Sequence, residues 1–172
     1  MSRTTVAFIL AVIVQLGILA AVPARHIHAL MTGTPVVLKT APVDPYSIMS
    51  GYYVTLSYDI SIPPERHKWP DRTHTTIYAT LVKGDGPAWK AVAFSTDWPT
   101  NVPADAVVLK GESDGWRICY GLEAYFLPET MRHEVANSLS QHRDSTLVDV
   151  MVDKQGHAAL VRLRIGDKAY EY

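Results

Sequence analysis

Cysteine is nearly absent: Cys119 stands alone among 172 residues, which leaves no intramolecular disulfide framework and no multi-cysteine metal or redox motif. Charge of one sign is lacking too. Sixteen Lys and Arg face seventeen Asp and Glu, interspersed to a net −1, which argues against a nucleic-acid surface and against an acidic disordered tail. Phosphate-cradling glycine loops are missing, since Gly84-Asp85-Gly86 and Asp114-Gly115 read as hairpin turns with no helix behind them. Neither nucleotide binding nor any other cofactor is therefore expected. Internal repeats and low-complexity tracts are absent as well.

What the chain does have is one long apolar run. Val6 to Val22 reads VAFILAVIVQLGILAAV, 17 residues interrupted only by the uncharged Gln15 and by Gly17. At 1.5 Å per residue this makes about 26 Å of helix, the short end of what crosses a hydrocarbon core. Small residues around Val22-Pro23-Ala24 also suit a cleaved signal peptide, but the run exceeds a usual signal h-region, so an anchor spanning the lipid bilayer through residues 6–22 is preferred. Arg3 precedes the run and Arg25 follows it. A short basic tail before a first hydrophobic segment places the N-terminus in the cytoplasm and the rest outside it, periplasmic or luminal. Ile27, Leu30 and Met31 continue the helix along the membrane interface until Gly33 and Pro35 stop it. Residues 1–31 are thus read as anchor and interfacial extension, and residues 32–172 as one globular domain, a length suited to a single core.

That domain reads as mainly β. Val36-Val37-Leu38 is a short strand, and Asp44-Pro45 suits the start of a helical turn through Ile48 and Met49. Tyr53 to Ile60 alternates, with Val54, Leu56, Tyr58 and Ile60 on the core face. The proline-rich IPPERHKWPD after it reads as an exposed excursion. Three pairs of β-rich runs then flank turn residues at Lys83 to Pro87, Ser113-Asp114-Gly115 and Lys154-Gln155-Gly156, and Gly166-Asp167 turns into a last strand. A helix interrupts them at Pro128 to Gln141, where Met131, Val135 and Leu139 recur at helical spacing. The fold class is an antiparallel hairpin meander, barrel or sandwich, with one short amphipathic helix and one N-terminal transmembrane helix.

The run Gly51-Tyr52-Tyr53-Val54-Thr55-Leu56-Ser57-Tyr58 resembles the signature of the GDYXXLXY proteins, a bacterial family named for that motif, with Tyr52 in place of its Asp. The resemblance extends to TGTPVVLKTAPVDP before the motif and YGLEAYFLPE after it. It implies a membrane-anchored domain and supplies no reaction. Core packing explains most of the motif by itself, because strand alternation puts Leu56 and Tyr58 on one face and Tyr53 on the other.

Candidate chemistry is sparse. Seven histidines are scattered, His133 and His142 lie half a helical turn out of phase, and His157 reads as a packed residue on a strand's core side, so no metal site is expected. Ser47 and Ser50 follow an anchor as in membrane peptidases with a Ser/Lys pair, but no lysine, Lys83 or Lys90, is singled out as a base. Among the carboxylates Asp44, Asp59, Glu123 and Glu129, Glu123 between Tyr120 and Tyr125 is best placed to be desolvated. Tyr53, Tyr58, Glu123 and Tyr125 are the candidate binding residues, and no catalytic residue is assigned. Two functions remain open. One is a non-catalytic binding or accessory module that associates with another membrane or envelope protein, using aromatic surface supplied by Trp69, Trp89, Trp98 and Trp116. The other is an envelope hydrolase using Ser47 or Glu123.

Overall fold

The computed structural model describes residues 2–41, 49–50, 53–63, 74–126, 128–142 and 145–171. It opens with helix α1, Arg3–Thr32, whose start is capped by the Ser2 side chain accepting from the Thr5 N–H and which carries Pro23 inside it. A proline ring removes one backbone donor and crowds the preceding turn. The axis accordingly bends by 42° between Arg3–Leu19 and Pro23–Thr32. No single helix is long and apolar enough to cross a membrane, although the two pieces together pass by length and composition.

The remainder is mostly strand, arranged in three antiparallel sheets. β1 (Thr34–Lys39), β9 (Thr146–Val152), β10 (Ala158–Ile165) and β11 (Lys168–Glu171) form the first, in the order β1-β9-β10-β11. β2 (Met49–Ser50), β3 (Tyr53–Thr55) and β8 (Ala124–Phe126) form a small second one. β4 (Thr75–Lys83), β5 (Trp89–Ser95), β6 (Val107–Ser113) and β7 (Ile118–Cys119) make the third, in the order β5-β4-β6-β7. Hairpin neighbours pair as the turn residues predict, and Gly115, Gly156 and Gly166 take the positive φ those turns need. The joins between hairpins are non-local: β1 pairs with β9, β3 with β8, and β4 with β6 across β5.

All three sheets contribute to one core. Val36, Leu38, Val54, Ile77, Leu81, Leu109, Tyr125, Val148, Val150, Leu163 and Ile165 are buried together. Helix α2, Arg132–Gln141, follows a 3-10 turn at Glu129–Met131 and adds Val135 and Leu139 to it. β9 displays the period-two rule cleanly, alternating buried and half-buried residues along its length.

Three expectations are corrected in detail. The strand expected over Tyr53 to Ile60 ends at Thr55, and Asp59–Ser61 form a 3-10 turn instead. The burial alternation survives because the Leu56 N–H still donates to the Glu123 carbonyl at 2.7 Å before the chain turns inward, and Tyr58 keeps only an isolated bridge to Thr40. Met49, expected in a helical turn, lies in β2, while Asp44 to Ile48 fall outside the described residues. His157 is a turn residue preceding β10, held 3.3 Å from Asp153, and not a packed strand residue. Most of the proline-rich excursion, residues 64–73, also lies outside the described residues.

Candidate functional site

The motif strand and its surroundings place two of the candidate binding side chains, Tyr58 and Tyr125, in the interior and leave Glu123 half-buried. Tyr58 is fully buried, and its hydroxyl donates to the Leu122 carbonyl at 2.6 Å. Burial, with the Glu123 carboxylate behind it, pushes its ionisation well above the usual tyrosine range. Tyr125 is buried on β8 and donates to the Tyr170 carbonyl at 2.8 Å. Glu123 accepts from the Tyr120 N–H across a turn in which Gly121 has φ +76°, and the Tyr120 hydroxyl donates to the Ile60 carbonyl at 2.7 Å. Tyr53 is placed by its backbone alone, between Ser50 and Phe126. Tyr58 and Glu123 therefore meet around Leu122, whereas the Tyr125 hydroxyl points to β11. These polar atoms tie strand ends to loops. Ser47, with Gly51 and Tyr52, lies outside the described residues.

Concavity occurs elsewhere. A groove of about 790 Å³ is lined by Lys39, Asp59, Ile60, Trp89, Lys90, Phe94 and Leu147, among others. Each wall has a local origin. Lys39 ends β1 directly opposite Leu147 of β9, so register places both on the same sheet face. Asp59 and Ile60 arrive on the 3-10 turn that follows Tyr58. Trp89, Lys90 and Phe94 come from β5, the last strand of its sheet.

Electrostatically the groove is uneven. Lys39 Nζ lies 3.9 Å from an Asp59 carboxylate oxygen, with the two side chains 45% and 50% exposed. Desolvation raises the Asp59 pKa while Lys39 opposes the rise. Lys90 pairs with Asp85, at 3.5 Å and with the aspartate fully in solvent. Lys83 Nζ stands 6.0 Å from the centre of the Trp89 ring. One strand beyond Leu147 on the same face comes Arg164, bonded to Asp149 at 2.6 Å, while Arg162 stands 3.8 Å from the same carboxylate.

This arrangement suits recognition. A mostly apolar trough with a few convergent charges fits a bound group better than it fits proton transfer. Among the described residues no group of three or more His, Cys, Asp or Glu could hold a metal ion. Cys119 is half-buried, and burial, with Glu123 and Asp114 adding to it, raises its thiol pKa away from the reactive thiolate. The groove was not legible as a unit in the sequence, because its walls come from β1, the 3-10 turn, β5 and β9. Of its lining, the sequence singles out Asp59 as a carboxylate, Lys90 as an unassigned base and Trp89 as aromatic surface, without joining them.

Neither a curated protein nor a solved structure matches the chain. The family described as GDYXXLXY protein does, over residues 15–163, a stretch that takes in the motif strand, the groove walls and the first sheet as far as Leu163 in β10. The chain belongs to the GDYXXLXY protein family.

Proposed function

We propose that the chain is a membrane-tethered, non-catalytic binding module that associates with another membrane or envelope protein, with the groove as its recognition surface. The observation that carries this reading is the way α1 meets the domain. Ala29 is completely buried and Gly33 donates its N–H to the Ala29 carbonyl at 2.9 Å, so the helix end is seated where β9 ends and β10 begins. The opposite side of that last stretch bears Ile27 and Met31, with Leu30 on its flank, all exposed. Further back, the apolar residues from Val6 to Leu19 are 38–70% exposed, without a protein partner among the described residues.

A bare apolar helix fixed to a polar-surfaced domain is stable in a bilayer, where its backbone is internally bonded and its side chains meet lipid. In this reading Arg3–Leu19 enters the bilayer, Pro23–Thr32 lies along the interface and the domain stands on the extracytoplasmic side. The hydrolase alternative is less favoured at Glu123, whose carboxylate accepts the Tyr120 N–H, while its other residue, Ser47, lies outside the described residues.

Two linked measurements test the reading. Alkaline carbonate extraction of membranes is expected to leave the wild-type chain in the pellet and to release Gln15→Arg, which places a charge in the middle of the apolar run. Gentle detergent purification is expected to bring down one stoichiometric envelope protein with the wild type and to lose it with Gln15→Arg. A wild-type chain that extracts freely, or one that always elutes alone, defeats the proposal.

A further inference from the structure

We propose that the groove receives an extended polypeptide segment of the partner in which large apolar side chains alternate with carboxylates. The proposal rests on the binding-module reading and adds the chemistry of what is bound. Three features point to it.

The first is shape. At about 790 Å³ the groove holds several side chains, and it is open, since Ile62 and Lys90 on its walls both reach solvent. An open trough that admits several side chains suits a segment of chain better than a single enclosed small molecule.

The second is the wall itself. β5 is an edge strand in the order β5-β4-β6-β7, and its Trp89, Lys90, Ala91 and Phe94 all line the groove. A polypeptide laid parallel to a strand also repeats every two residues, so alternate side chains fall towards Trp89, Phe94, Ile60 and Leu147 while the others stay at the rim.

The third is charge. The lining holds two ammonium groups, Lys39 and Lys90, against one carboxylate, Asp59, in a chain whose overall charge is −1. Both lysines are weakly held. Asp85 meets Lys90 from full solvent exposure, a geometry of little net strength. Lys39 and Asp59 are 3.9 Å apart with both side chains about half exposed, again a geometry of little net strength. A carboxylate brought by the partner finds two displaceable cations, whereas a cationic segment meets Lys39, Lys90 and the Lys83 ammonium already over Trp89.

The test uses the full chain in phosphatidylcholine nanodiscs and three fluorescein-labelled octapeptides, alternating Leu-Glu, Leu-Lys and Ser-Glu, read by fluorescence anisotropy against empty nanodiscs. Saturable binding of the Leu-Glu peptide alone is expected, weakened about tenfold in Lys39→Gln/Lys90→Gln. Lys90→Gln by itself, at a side chain 65% exposed, leaves the fold intact and is expected to weaken binding in the same direction. Equal binding of the Leu-Glu and Leu-Lys peptides, absence of saturation, or unchanged affinity in the lysine variants would overturn the proposal. Saturable binding of octanoate without peptide binding would overturn it as well, giving the groove to a small amphiphile. Loss of peptide binding with the envelope partner still co-purifying removes only this chemistry, whereas peptide binding without a partner removes the accessory reading.

Discussion

Tyr58 illustrates how little of a motif residue's role is visible in its identity. Its hydroxyl satisfies the buried Leu122 carbonyl, and Tyr120 and Tyr125 do the same for Ile60 and Tyr170. Replacing Tyr58 by Phe leaves that carbonyl without its donor inside the core, a loss expected to cost about 1–3 kcal/mol, and urea denaturation measures it. Tyr125→Phe is expected to behave alike, without altering membrane retention. Asp153 makes a prediction of opposite kind. Burial works to raise its pKa, but the N–H groups of His157 and Gln155 outweigh it, with the His157 ring adding to them, and hold the carboxyl below its ordinary value. A depressed folded-state pKa means stability present above the ordinary carboxylate range and lost as pH falls through the lower value. Thermal unfolding from pH 6 down to pH 3 should thus show a loss that Asp153→Asn flattens, since the amide oxygen still accepts both N–H groups. At this scale alternation had identified Val54, Leu56, Tyr58 and Ile60 as inward-facing. The acceptors could not be read, because Leu122 lies 64 residues from Tyr58 in the chain.

Among the elements, legibility followed sequence distance. Turn chemistry marks the hairpins β4–β5, β6–β7 and β9–β10, because Gly and Asp at their apices carry the local signal. Pairing of β1 with β9 joins Thr34 to Val152, and no short-range pattern encodes it. The pattern over Tyr53 to Ile60 overstated a strand for a related reason: period two reports which side chains are buried, and a chain leaving the sheet can keep burying every second one. Gly33 is the element-scale position most open to test. Its φ of −72° suits any residue, but a Cβ there would overlap the Ala29 carbonyl oxygen and lie 2.9 Å from Val152 N. Gly33→Val is expected to lift the helix end from β9 and destabilise the chain by roughly 1–3 kcal/mol, as overpacking does. Limited proteolysis between Thr32 and Val36 should then become faster than in the wild type.

At the scale of the whole molecule, an apolar helix and a charged groove share one sheet. The first sheet takes the end of α1 where β9 meets β10, and presents Lys39 of β1 and Leu147 of β9 to the groove at the opposite end of β9. Strand β9 runs from Thr146 beside the groove to Val152 beside Gly33, seven residues or about 20 Å. Backbone ladders on both sides make it stiff along that length. On the proposed placement of Arg3–Leu19 in a bilayer, α1 would act as a lever. A thinner or thicker membrane tilts Arg3–Leu19, and to the extent that the bend at Pro23 passes that tilt on to Pro23–Thr32, the tight joint at Gly33 carries it to Leu147 as displacement of one groove wall relative to Trp89 on the other sheet. The affinity of the groove would then follow bilayer thickness: in nanodiscs of shorter and longer acyl chains, the same peptide should bind with different strength although every residue in contact with it is unchanged.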